Sequence, residues 1–192
     1  MTNKSSENAA ARARLIEIVM ARSFQKGPEM RLASGKTSTF YFNMKPAMLD
    51  SEGAYLIATL ILDQLDGVEA DLIGGLEMGA VPIAASVTTL AHARGRKLPA
   101  FFVRKQAKQH GTQSLIEGLG RDETMAGKRV VIVEDVTTTG GSAIKAAEAI
   151  RQAGGHIVRV STIVDRLDGA AEAFADAKLP FHPLLTLKDF KS

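Results

Sequence analysis

The sequence predicts an α/β fold: a doubly wound, mostly parallel sheet flanked by helices, with a small hood lobe built from the N-terminal third. Three observations predict it. From about residue 66 onward, short apolar strand candidates alternate with helical segments, the pattern of a parallel sheet covered on both faces. The run from Arg129 to Glu134 (RVVIVE) is apolar without alternation, as a strand buried on both sides must be. Hydrophobic residues make up 45% of the 192 positions and charged residues 23%, ordinary globular usage for one domain. The expected division is a hood over residues 1–65 and an α/β core over 66–192, packed as one compact unit, with the last strand returning toward the hood.

The elements follow in order. Leu15, Ile16, Val19 and Met20 give one apolar face to a helix from about Ala9 to Arg22. Residues 31–45 (RLASGKTSTFYFNMK) read as a loop with turn residues Ser34 and Gly35, then an aromatic-rich extended run. Ser51 is expected to cap a helix from Glu52 to Leu65 that closes at Asp66-Gly67. Asp71 to Gly74 is a strand, Gly79 to Ala93 a helix, and Pro99 to Arg104 a strand. After the strand from Arg129, a helix runs from Gly140 to Ala153, ending at Gly154-Gly155. A strand from His156 to Val164, a short helix from Gly169 to Ala177 and a last strand from Pro183 to Leu187 complete the chain. The interval between Arg104 and Arg129 has little periodicity and is long for a compact domain, where such loops are functional or disordered. It opens with Arg104, Lys105, Lys108 and His110 and no acid among them, which suits a basic lid over an anion; a solvated basic loop is the plainer alternative.

Composition excludes several functions. There is no cysteine, so disulfide scaffolds, Cys-ligated zinc, iron–sulfur clusters and thiol nucleophiles are out. Aromatics are 5% with no Trp, which argues against a stacking platform for single-stranded nucleic acid. The formal charge of +3 suits an anionic ligand. No apolar run approaches the roughly 20 residues of a membrane span, and charges interrupt the N-terminal segment where a signal peptide would be apolar. The expectation is a cytoplasmic protein with no membrane and no nucleic-acid partner.

The most informative segment is Glu134-Asp135-Val136-Thr137-Thr138-Thr139-Gly140-Gly141-Ser142. An apolar strand delivers two acids at its carboxyl end, a Thr/Gly turn follows, and a helix begins. Backbone N–H groups, hydroxyls and the positive end of the helix dipole meet in that turn, making a phosphate cradle. Neither G-x-x-x-x-G-K-[ST] nor G-x-G-x-x-G occurs, so the segment is neither a P-loop nor a dinucleotide fingerprint. Acids beside a phosphate cradle suit a ligand carrying hydroxyls and a phosphate, such as a ribose phosphate.

This segment resembles the ribose-phosphate signature of type I phosphoribosyltransferases, which bind phosphoribosyl pyrophosphate (PRPP). Residues 34–43 (SGKTSTFYFN) resemble the hood of the orotate phosphoribosyltransferase family, and residues 104–111 (RKQAKQHG) its R-K-x-x-K-x-H-G loop. Asp165-Arg166 resembles its base-recognition pair, and Thr186-Leu187-Lys188-Asp189 a C-terminal run of many members. The resemblance spans the chain in order. It implies the type I phosphoribosyltransferase fold and transfer of ribose 5-phosphate from PRPP to orotate, giving orotidine 5-monophosphate and pyrophosphate in UMP synthesis. It also implies Mg2+ as cofactor, held mainly by PRPP, and a homodimer whose 104–111 loop reaches the neighbouring active site. By the same resemblance Lys108, Arg104, Lys105 and His110 hold the pyrophosphate, with Lys108 foremost. Glu134 and Asp135 take the ribose hydroxyls, Asp135 counting among the catalytic set. Val136, Thr137, Thr138, Thr139, Gly140, Gly141 and Ser142 hold the 5-phosphate, and Arg166, Lys36, Tyr41 and Phe42 meet the base; for Tyr41 and Phe42 core packing is the equal alternative.

Two positions depart from the family pattern. Ala33 stands where many members carry lysine, leaving Lys36 as the nearest charge, and the turn Glu77-Met78-Gly79-Ala80 lacks a lysine that some members have. Two rivals stay open: a phosphoribosyltransferase for another base, and a PRPP-sensing regulator that binds nucleic acid. Purine-type enzymes lack this hood and loop, and a sensor has no need of a basic loop aimed at pyrophosphate.

Overall fold

A computed structural model describes residues 2–31, 37–106 and 115–191. Its helices are α1 (Thr2–Arg22), α2 (Lys45–Met48), α3 (Ser51–Gln64), α4 (Ala80–Ala93), α5 (Gly141–Gln152) and α6 (Ala170–Asp176). Its strands are β1 (Phe24–Arg31), β2 (Thr37–Phe42), β3 (Leu72–Gly74), β4 (Phe102–Val103), β5 (Ile116–Glu117), β6 (Arg129–Thr137), β7 (His156–Asp165) and β8 (Phe181–Thr186). A 3-10 turn over Leu187–Phe190 follows β8.

The central sheet is parallel, with strands in the order β3-β6-β7-β8. Residues 99–103 extend it along the free edge of β3: Ile73 donates to the Pro99 carbonyl (3.1 Å), Phe101 to Ile73 (3.0 Å) and Val103 to Gly75 (2.8 Å). Both faces are covered, as the doubly wound expectation requires. In β6, Val131 and Val133 enter a core shared with α1, α3 and α4, while Val130 and Ile132 enter a second core against α5 and α6. That alternation is the period-two geometry of a strand, and the continuous apolar run reflects burial on both sides. At the foot of the sheet Arg129 forks onto Asp71 (2.9 and 3.0 Å) and donates its backbone N–H to it (2.8 Å). These bonds hold the Asp71 carboxyl well below the usual carboxylate range and lock the start of β6 to β3, at the end of the sheet remote from the acid pair.

Four expectations are corrected. The hood contains a strand the sequence reading missed: β1 pairs antiparallel with β2, and its Gly27 and Pro28 are what disguised it, since both are depleted in strands. The cap of α3 is Asp50, whose carboxylate accepts from the Gly53 N–H at 3.0 Å, so the helix begins at Ser51. The interval after Arg104 is not wholly loop, because β5 returns antiparallel to β4. β6 continues two residues beyond the acid pair, through Thr137. The turn expected at Ser34-Gly35 lies outside the described residues.

The hood shares the first core with the sheet. Phe24 of β1, Phe42 of β2 and Phe190 of the final turn form an aromatic cluster with centroid separations of 5.1–5.6 Å. Phe190 is 5% exposed, so the chain end closes the hood from behind. Phe190→Ala is expected to cost about 3 kcal/mol, the usual scale for deleting a buried ring, read as a lower urea midpoint with the slope unchanged.

Candidate active site

The strand order turns at β3 and β6: the chain leaves β3 toward one edge and leaves β6 toward the other. In open α/β sheets ligands bind at such a switch point, beyond the carboxyl ends of the strands. A cavity of about 370 Å³ lies there, lined by Glu77, Gly79 and Ala80 after β3, by Glu134, Asp135, Ser142 and Ala143 after β6, and by Lys45 and Lys105. A second hollow of about 210 Å³ adjoins it, formed by Val136 and the turn Thr138–Ser142, with Glu134 and Ser142 in both walls.

Because Glu134 and Asp135 are consecutive strand residues, they leave β6 on opposite faces. Glu134 turns toward the start of α5. Ser142 and the backbone of Ala143 lie close enough to favour its charged form, while its Oε2 is buried without a hydrogen-bond partner. Burial pushes its carboxyl up to about 7, and the neighbouring Asp135 adds to the rise. Asp135 faces the turn before α4. Its Oδ1 accepts from its own Val136 N–H at 2.9 Å, and a Cβ on Gly79 would stand 2.6 Å from that oxygen. Only glycine lets the two turns approach this closely.

The phosphate cradle is held from outside. Gly140 caps α5 at φ 81°, in the left-handed region where a side chain is strained, and the Phe174 ring of α6 sits where its Cβ would be (2.8 Å). No side chain caps α5, which leaves the Thr138 and Thr139 hydroxyls free of that duty. Thr137 does not line the cradle: with β6 running through it, its side chain is 1% exposed and its hydroxyl is buried without a partner.

Arg166 stands where three parts of the fold meet. Its N–H bonds the Thr137 carbonyl at 2.9 Å, and its guanidinium donates to the Phe40 carbonyl of β2 at 3.2 Å and to Asp168 at 3.4 Å. It is 5% exposed, so it is no surface ion pair. Phe42 belongs to the aromatic cluster, whereas Tyr41, on the other face of β2, is 42% exposed; of the pair, only Tyr41 has a ring free to meet a ligand. Lys105 lines the cavity. Arg104 turns to the Gln106 carbonyl (3.3 Å) and lies 3.9 Å from Glu117. Lys36, Lys108 and His110 lie outside the described residues. The sequence reading missed Lys45, which enters through α2; nothing in its local pattern distinguishes it from any exposed lysine.

Among the described residues no three His, Asp or Glu side chains are gathered to hold a metal, and no helix is long and apolar enough to cross a membrane. A fold of this type, with an acid pair lining the cavity and one of the pair, Glu134, also lining the adjoining Thr/Gly turn, suits phosphorylated, hydroxyl-bearing ligands. Comparison with known proteins narrows this. Residues 48–181 match the phosphoribosyl transferase domain family. An orotate phosphoribosyltransferase of Rhodopseudomonas palustris (strain BisB18) is 58% identical over 182 residues, covering 95% of this chain and 97% of that one. One of Bradyrhizobium sp. (strain BTAi1 / ATCC BAA-1182) is 56% identical, covering 95% and 98%. The crystal structure of Mycobacterium tuberculosis H37Rv orotate phosphoribosyltransferase in complex with PRPP superposes with a TM-score of 0.76 at 36% identity, covering 93% of this chain and 98% of that one. The chain belongs to the phosphoribosyltransferase family, in its orotate phosphoribosyltransferase branch.

The raised Glu134 carboxyl has a consequence for stability. A group that is harder to ionise folded than unfolded favours the fold only while it is protonated. Its contribution is intact below pH 4.5, its ordinary value, and is lost as the pH climbs through about 7. Glu134→Gln is expected to gain stability relative to the wild type across that window and to hold a constant margin above it, measured by urea unfolding at a series of pH values.

Proposed function

We propose that the protein transfers the 5-phosphoribosyl group of PRPP to orotate, giving orotidine 5-monophosphate and pyrophosphate on the route to UMP. The observation that carries this reading is Glu134, which lines both hollows and whose Oε2 is buried without a partner. A ribose hydroxyl donating there would satisfy a buried acceptor that is costly to leave unpaired, with its 5-phosphate in the Thr138–Ser142 turn and its diphosphate in the larger cavity.

In the reaction the bond from the anomeric carbon to the diphosphate oxygen breaks and a bond to the base nitrogen forms. Negative charge grows on the leaving group while the ribose becomes cationic. Lys105 and Lys45 from the cavity wall, with Arg104, Lys108 and His110 of the basic segment, would meet that charge, and Asp135 faces the cationic side. Magnesium, when bound, supplies further positive charge to the diphosphate. Oxygen-rich and keeping several waters by preference, it fits a site where the diphosphate provides most of the ligands and Asp135 assists. Arg166 offers a planar fork to the orotate carboxylate, beneath a hood whose Phe40 carbonyl it already holds.

A homodimer completes the reading. Leu49 (72% exposed) and Met78 (61%) rim the cavity, and beside them Ala54, Tyr55, Ala58 and Ala85 line an open apolar groove between α3 and α4. A second copy seated there would bring its basic segment to this site. A cytoplasmic setting accords with the substrates.

The direct test follows the loss of orotate absorbance with PRPP and magnesium, beside uracil, hypoxanthine and adenine. Turnover of orotate alone is the expected result; turnover of a purine instead, or of none, removes the proposal. Lys108→Ala is expected to lower kcat by about 10²–10³, the worth of one preorganised donor, with PRPP affinity little changed. PRPP binding measured by calorimetry is expected to strengthen as the pH rises through about 7, because only ionised Glu134 accepts from a ribose hydroxyl without restriction, and to strengthen less in Glu134→Gln, where only the ionisation of the ligand's own phosphates remains.

A further inference from the structure

An anion cavity with a glutamate in its wall is electrostatically costly, since like charges brought close repel strongly near a protein surface. Glu77 is such a residue, and its hydrogen bond gives it a role. Along the β3 edge the parallel ladder runs regularly outward: Val103 donates to the Gly75 carbonyl at 2.8 Å, and Glu77 donates to the Val103 carbonyl at 2.8 Å. In a regular parallel pair the next rung would join the Lys105 N–H to the Glu77 carbonyl. The chain turns away toward Gly79 instead, and the Glu77 side chain takes over: its Oε1 accepts from the Lys105 N–H at 2.9 Å. One residue's carboxylate thus ties the turn on one wall of the cavity to the root of the basic segment on the other.

The geometry points to Glu77 as a positioning residue that fixes the backbone at Lys105, so that the lysine lines the cavity. The bond occupies the carboxylate, which accounts for an acid being tolerated there. Glu77 touches no reacting atom in this role; it acts through Lys105. The inference rests on the reading of the cavity as the diphosphate site, and its two readouts separate the failure of one from the failure of the other.

The first readout is amide hydrogen exchange at Lys105, followed by NMR on the full chain without substrates. Glu77→Ala is expected to speed exchange of this amide by about tenfold or more, the scale of one lost hydrogen bond to a charged acceptor. Glu77→Gln, which keeps an acceptor oxygen without the charge, stays near the wild type. The second is steady-state kinetics with orotate. Glu77→Ala is expected to lower kcat by about tenfold with the KM for orotate within about twofold, and Glu77→Gln to recover most of that loss, as removal of an interaction expressed in the transition state requires. Fast Lys105 exchange in the wild type, a Glu77→Gln as impaired as Glu77→Ala, or a Glu77→Ala with wild-type kcat each overturns the role. If the wild type does not consume orotate, the proposed function falls, and the exchange arm alone decides whether Glu77 holds Lys105.

Discussion

A carboxylate drawn out of water has to be given hydrogen bonds, and Glu134 has an oxygen, Oε2, buried without a partner. That unmet demand organises the site. Strand β6 must run straight and buried to carry the residue to the switch point, which requires the two apolar cores on either side of it. Helix α5 begins close by, so that Ser142 and Ala143 stand beside the carboxylate and oppose the rise in its pKa. Its Oε2 is left without a partner, and the residue lines both the turn and the larger cavity. An unpaired buried acceptor is costly, and a ligand hydroxyl donating to it would offset that cost.

The same strand explains how adjacent acids come to do different things. Period-two geometry sends Glu134 to the α5 face and Asp135 to the α4 face. Each then needs a close neighbour to yield space: Gly79 for Asp135 and, one turn further on, Gly140 for the cradle, with the Phe174 ring filling the position a side chain would take. The hood is tied into this frame at Arg166, which bonds the end of β6 through its backbone and the carbonyl of Phe40 through its guanidinium. The end of β6, the turn after β7 and the hood therefore meet at Arg166, while the Phe24–Phe42–Phe190 cluster packs the hood against the chain's final turn.

Much of this was legible in the order of residues. Parallel strands buried on both faces must be apolar throughout, so β6 and β7 announce themselves, and the acid pair followed by a Thr/Gly turn names a sugar-phosphate site because few ligands call for both. Strand β1 was not legible, since pairing with β2 and packing of Phe24 outweigh the poor strand propensity of Gly27 and Pro28. Asp50 and Ser51 are both good caps, and only the hydrogen bond to Gly53 decides between them. Phe42 and Tyr41 alternate by the strand rule, but which of them faces inward depends on the partner hairpin.

Local sequence thus determined the fold class, the strand that bears the acids and the chemical kind of ligand, because each is written in periodicity or in a contiguous motif. Tertiary structure decided the rest. It set the acids on opposite faces, buried one oxygen of Glu134, brought Lys45 and Lys105 to one cavity from segments some sixty residues apart, and hung Lys105 on the Glu77 carboxylate. Desolvation, close approach and through-space hydrogen bonds depend on which distant segments meet, and no contiguous stretch of chain encodes that meeting.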